Sequence, residues 1–220
     1  MKPKNLKFPF TWEERTPAVH EGVLIVPQYF EDHQNYDFSH LLPKDRPVSI
    51  EYCSGNGHWI TEKAKTHSDR FWIAVEKQFE RVRKIWSKMR NEGIENLLIV
   101  CGEALTFTQY YLSENLADEI FVNFPDPWPK NRHSKHRLIQ FPFIEALSKV
   151  VKTGGHAVYA TDDPEYADQM IEEMEKHPLW ESVFPKPHYI SDWDKYGWSW
   201  FQDLWEKKGR NFHFIQYRLK

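Results

Sequence analysis

Residues 48–59 read VSIEYCSGNGHW. A short β-branched and aromatic run, Val48 to Cys53, empties into a turn carrying Gly55 and Gly57, and a helix opens near His58. Strand, glycine turn and helix in direct succession let backbone approach a ligand closely at the helix start. A dinucleotide fingerprint needs a third glycine; here only GxG follows an acidic residue, which alone is a weak signal. The same rhythm continues down the chain. Runs FWIAVE from Phe71, NLLIVC from Asn96, DEIFVNF from Asp118 and GHAVYAT from Gly155 are separated by stretches long enough for a crossover helix. Phe79, Val82, Ile85, Trp86 and Met89 recur at helical spacing, with Arg81, Lys84, Lys88 and Arg90 on the outer positions. Phe143, Ile144, Leu147, Val150 and Val151 form a second stripe, and Tyr166, Met170, Ile171 and Met174 a third. The expectation is an open, mostly parallel α/β sheet whose ligand lies beyond the carboxyl ends of the strands, where connectivity reverses.

Flanking this rhythm, residues 1–46 are rich in Pro and aromatics without a sustained period and read as an arm or irregular lead-in, leaving 47–220 as one domain. From about residue 181 the pattern loosens, and NFHFIQYRL reads as a closing strand. With 40% hydrophobic residues, 10 Trp, 10 Tyr and 15 Phe among 220, wholesale disorder is excluded. No stretch is apolar enough to cross a bilayer and the amino-terminal residues hold no signal-peptide core, so a soluble, cytoplasmic protein without a membrane partner is expected. Cys53 and Cys101 are the only cysteines and form no CxxC, which leaves no disulfide framework and no thiolate zinc site. No metal is expected.

Net charge is −3, from 29 Lys and Arg against 32 Asp and Glu, which argues against nonspecific coating of nucleic acid. The distribution says more. Lys130, Arg132, Lys135 and Arg137 crowd into KNRHSKHR with His133 and His136 between them, and Lys2, Lys4 and Lys7 mark the amino-terminal segment. Such spots either dock phosphate or form a solvated face. Glu51, Glu76 and Glu103 each stand at or just after the end of a successive strand. Facing one crevice, they favour a ligand with hydroxyls, an amino group and positive charge over one rich in phosphate, a description that suits S-adenosyl-L-methionine better than NAD.

The fourth run continues as NFPDPWPKNRHSKHRL, residues 123–138. Pro125 and Pro127 remove backbone donors and fix φ on either side of Asp126, so its carboxylate is held on a stiff loop beside Trp128. This segment resembles the hallmark of the bacterial tRNA (guanine-N7)-methyltransferases. The resemblance extends from about Val26 to the end, through EYCSGNGHW, FWIAVE, GEAL, GGHAVYATDD and SWFQDLWEKKGR. It implies a class I S-adenosylmethionine-dependent methyltransferase (Rossmann-like) fold, a mostly parallel seven-stranded sheet with helices on both faces and the last strand antiparallel. It implies S-adenosyl-L-methionine as cofactor and a variable-loop guanine of tRNA as methyl acceptor.

By the same resemblance, Glu51, Glu76 and Glu103 contact the cofactor over the turn of Gly55 and Gly57. Asp126 is near the cofactor and is the catalytic residue. Lys130 and Asp162 belong to the substrate, as does a tail motif that here reads Ser199, Trp200, Phe201, Gln202. Arg132, Lys135 and Arg137 are assigned to RNA phosphates. Trp128 either stacks on an extruded base or packs on its own loop. Asp162 either bonds the base or caps the helix beginning near Pro164, or does both. Three departures stand out: the family normally has Gly at Cys53, usually Asp at Glu103, and Glu at Gln202. Cys53 and Gln202 motivate a second reading, a catalytically weak tRNA-binding protein on the same fold. A third, a methyltransferase acting on an exocyclic amine, is disfavoured by the basic octapeptide. An NAD-dependent dehydrogenase lacks the third glycine. The resemblance leaves monomer and homodimer equally open.

Overall fold

The computed structural model describes residues 1–10, 14–129, 131–197 and 211–220; the side chains of residues 131–133 and 195 lie outside that description. Backbone contacts divide the chain into two compact units, Met1–Ser113 and Glu114–Lys220.

The first unit has five strands, β1 (Ala18–His20), β2 (Val23–Ile25), β3 (Val48–Tyr52), β4 (Phe71–Glu76) and β5 (Leu97–Cys101), in the order β1-β2-β5-β4-β3. All neighbours run parallel except the β1–β2 hairpin. Every residue of β3 and β5 is buried, as parallel strands covered on both faces require. Three helices follow β3, β4 and β5 in turn: α1 (His58–Thr66), α2 (Phe79–Glu92) and α3 (Ala104–Tyr111). The predicted stripe on α2 is its buried face, with Val82 and Ile85 fully enclosed. Gly93 ends that helix in the left-handed region at φ 64°, its N–H bonded to the Met89 carbonyl.

Residues 1–46 hold more order than their lack of period suggests. The three residues of β2 are all buried and pair with Val23↔Ile99 through Ile25↔Cys101. Three residues are too few to display an alternation, so the strand is invisible to pattern reading. The first residues run along α2. Leu6 is fully buried, the Met1 carbonyl accepts from Ser87 Oγ (2.6 Å) and Asn91 Nδ2 (2.8 Å), and the Pro3 carbonyl accepts from Arg83 Nε (3.0 Å).

The second unit has β6 (Ala117–Asn123), β7 (Val151–Thr161), β8 (Trp180–Ser182) and β9 (His213–Leu219) in the order β6-β7-β9-β8, with helices α4 (Phe141–Val150) and α5 (Pro164–Glu175). β6 and β7 are parallel, while β9 runs antiparallel to both β7 and β8. Nine strands are described; without the β1–β2 hairpin there remain seven, with β9 antiparallel, so the expected α/β methyltransferase fold class holds. Several strand ends differ by one or two residues, and the start of β7 differs by four. Val151, read as part of a helical stripe, is the first residue of β7 and pairs with Ala117. The register then shifts between Ala117 and Glu119. Close backbone contact makes glycine necessary there, since a Cβ on Gly155 would stand 2.8 Å from the Asp118 carbonyl oxygen.

Candidate active site

Glu51 is the penultimate residue of β3 and is 1% exposed. The chain then reverses. Cys53, Gly55 and Gly57 all take positive φ, at 61°, 55° and 75°. Ser54 closes the turn twice, its Oγ donating to the Glu51 carbonyl (3.0 Å) and its own carbonyl accepting from the Gly57 N–H (2.8 Å). Gly57 precedes α1, and a Cβ there would come within 2.7 Å of Ile85 Cγ1. Glycine at 57 is therefore demanded both by backbone conformation and by the close approach of α2. At Cys53 the conformation is the same and the residue is not glycine, which gives the sequence departure a structural meaning.

Glu76 ends β4, one strand over, and is 4% exposed. Its Oε2 accepts the Gly55 N–H at 2.9 Å, its Oε1 accepts the Gln78 N–H at 2.8 Å, and Arg81 Nη1 lies 3.7 Å from Oε2. The carboxylate thus shapes the turn. Glu103, two residues past β5, is the N-cap of α3: Oε2 accepts from the Thr106 N–H (2.7 Å) and from Thr106 Oγ1 (2.8 Å). Because β3, β4 and β5 are parallel and in register, all three carboxylates emerge at one strand edge. Two contacts that pattern reading did not anticipate complete this edge. Tyr52 Oη and Thr108 Oγ1 are 2.7 Å apart and tie β3 to α3, and Lys88 Nζ donates to the Asn56 carbonyl at 2.8 Å. Neither contact has a local signature, since each joins residues far apart in the chain.

Such an edge fits S-adenosylmethionine. Carboxylates suit a ligand that carries a sulfonium, an amino group and ribose hydroxyls, and the Arg81 guanidinium beside them is already paired with Glu76. The 640 Å³ hollow lined by Arg46, Lys65, Ser68, Glu92 and Asn96 lies at the opposite, amino-terminal edge of these strands and has no part in this arrangement. Among the described residues no group of three or more His, Cys, Asp or Glu is placed to hold a metal, and no helix is long and apolar enough to cross a membrane.

In the second unit, β6 delivers the proline-flanked segment. Asp126 is exposed, and Phe124 and Trp128 on either side both take positive φ, at 47° and 44°. Arg137 braces this loop: Nε donates to the Pro127 carbonyl at 2.7 Å, Nη1 donates to Gln169 Oε1, and the guanidinium lies 4.9 Å from the Tyr166 ring centroid. The Trp128 and His136 rings are 5.3 Å apart, so the indole packs on its own loop. Lys135 is exposed. Asp162 follows β7 and is half-buried, but the cap of α5 is its neighbour: Asp163 Oδ1 accepts from the Tyr166 N–H at 2.8 Å. The capping role considered for Asp162 belongs to Asp163. Lys130, Ser199, Trp200, Phe201, Gln202 and the side chain of Arg132 lie outside the described residues.

A family model described as "Putative methyltransferase" matches residues 45–214. The tRNA (guanine-N(7)-)-methyltransferase of Chlamydia pneumoniae is 44% identical over 225 residues, spanning 100% of this chain and 99% of that protein. That of Chlamydia felis is 45% identical, spanning 100% of this chain and 98% of its own. A solved antibiotic-related methyltransferase superposes with a TM-score of 0.57 at 19% identity, over 79% of this chain and 88% of that one, and so shares the fold. The conserved length and the glycine turn with its carboxylates agree: the chain belongs to the tRNA (guanine-N(7)-)-methyltransferase family.

Proposed function

We propose that this protein transfers a methyl group from S-adenosylmethionine to N7 of a variable-loop guanine in tRNA. The observation that carries the reading is the edge formed by Glu51, Glu76 and Glu103 around a turn with glycines at φ 55° and 75°. The cofactor, when bound, supplies an electrophilic methyl on a sulfonium. Glu76 and Glu51 accept from its hydroxyl and amino groups, and Gly55 and Gly57 keep the turn free of side chains. Guanine N7 has a free lone pair, so no base is needed to remove a proton and positioning is most of the work. Positive charge grows on the purine during transfer, so a carboxylate beside the base is worth more in the transition state than before it. Asp126 is assigned that role. Lys130, Asp162, Ser199, Trp200, Phe201 and Gln202 are assigned to the acceptor nucleoside and its neighbours. Arg132 and Lys135 are assigned to phosphates, while Arg137, whose Nε and Nη1 bond Pro127 and Gln169, is assigned first to loop support.

The test is incubation with labelled cofactor and unmodified tRNA transcripts. Label is expected in an alkali-labile 7-methylguanosine of the variable loop. Alkali-stable label on an exocyclic amine would replace the acceptor, and cofactor binding without any transfer would favour the tRNA-binding reading.

A further inference from the structure

One face of α2 clamps the glycine turn through three residues, Arg81, Ile85 and Lys88, spaced by four and three. Ile85 occupies the space beside Gly57, Arg81 stands by the Glu76 oxygen that holds the Gly55 N–H, and Lys88 Nζ donates to the Asn56 carbonyl at 2.8 Å. The peptide between Asn56 and Gly57 is thereby tied at both ends, since the Gly57 N–H is bonded to the Ser54 carbonyl. We propose that Lys88 is a positioning residue for the cofactor, holding the Asn56–Gly57 peptide plane so that the turn keeps the curvature the ligand needs. The inference rests on the reading of this turn as the S-adenosylmethionine site.

A lysine is a costly choice for folding alone. Lys88 is half-buried, and burial together with Lys84 on the same helix lowers its pKa to about 8, against the opposing pull of Glu92. His58 faces it from α1 and is itself lowered, first by burial and then by Lys88. A methyl-terminated side chain would pack there without a buried charge. The ammonium is explained by what it holds.

The experiment measures cofactor affinity by calorimetry, melting temperature without cofactor, and steady-state kinetics for the parent, Lys88→Met and Lys88→Arg. For Lys88→Met at pH 7 the expected result is a melting temperature equal to or above the parent's, with affinity weakened roughly tenfold, the scale of one charge-assisted hydrogen bond. The cofactor KM should rise and kcat at saturation should hold, and Lys88→Arg should restore affinity to within about threefold of the parent. Parental affinity in Lys88→Met overturns the proposal. So does a lowered melting temperature that accompanies the affinity loss and is not rescued by arginine. A parent that binds no cofactor overturns the site reading itself, and the inference with it.

Discussion

At Cys53 an L side chain sits at φ 61°, a conformation that costs roughly 1–2 kcal/mol relative to the right-handed regions. Glycine would remove that cost and add about 0.5–1 kcal/mol of backbone entropy loss, so Cys53→Gly should stabilise the cofactor-free protein by up to about 1 kcal/mol, read as a melting temperature higher by about 2–4 °C. An unchanged or lower value would mean that the thiol contributes packing worth at least as much. Asp126→Asn removes a charge and keeps the shape. It should lower the methyl-transfer rate by about 10²–10³ with tRNA affinity retained, measured in single-turnover assays. The basic octapeptide separates by role. Lys135→Met should reduce the salt dependence of tRNA binding by about one unit of log–log slope, whereas Arg137→Met should leave that slope unchanged and lower the melting temperature, because Arg137 is half-buried and holds Pro127 and Gln169 through Nε and Nη1. The identity of these residues was legible from sequence; that Arg137 braces the loop while Lys135 stays exposed was not, because both carry the same charge.

At the scale of elements, α2 does three things at once: it buries Val82 and Ile85, carries the first residues of the chain along Arg83, Ser87 and Asn91, and grips the glycine turn. Only the first is written in a 3.6-residue period. Gly57→Ala should cost about 2–4 kcal/mol, from left-handed strain plus a contact at 2.7 Å with Ile85, and should be visible in chemical denaturation. The pH dependence of stability has a worked sign. Lys88 binds its proton less tightly folded, at about 8, than its ordinary 10.5. Between those values the unfolded chain holds more protons, so this group's contribution to stability rises with pH from about 8 and levels off near 10.5. Parent and Lys88→Met should therefore converge in melting temperature as pH rises through that window. The α4–β7 boundary shows the limit of period reading: Val151 continues the apolar spacing of the helix, yet the sheet claims it through its pairing with Ala117.

Across the whole molecule, every proposed cofactor contact except Asp126 falls in the unit Met1–Ser113, so added S-adenosylmethionine should raise hydrogen-exchange protection chiefly between residues 50 and 104. At a hundred times its Kd it should add about 2.7 kcal/mol of stability. Protection spread evenly over both units, or absent from the Ser54–Gly57 turn, would contradict the assignment. By itself, the sequence determined the strand and helix rhythm, the glycine turn, the three edge carboxylates and the family, because burial alternates with a period set by each element's own geometry and motif residues lie adjacent in the chain. Only the tertiary structure decided that β2 pairs with β5, that Lys88 reaches Asn56 across 32 positions, that Glu76 holds the Gly55 N–H across 21, and that Arg137 braces the Asp126 loop. Those contacts are fixed by which faces pack together, and packing is a property of the folded chain that no local window contains.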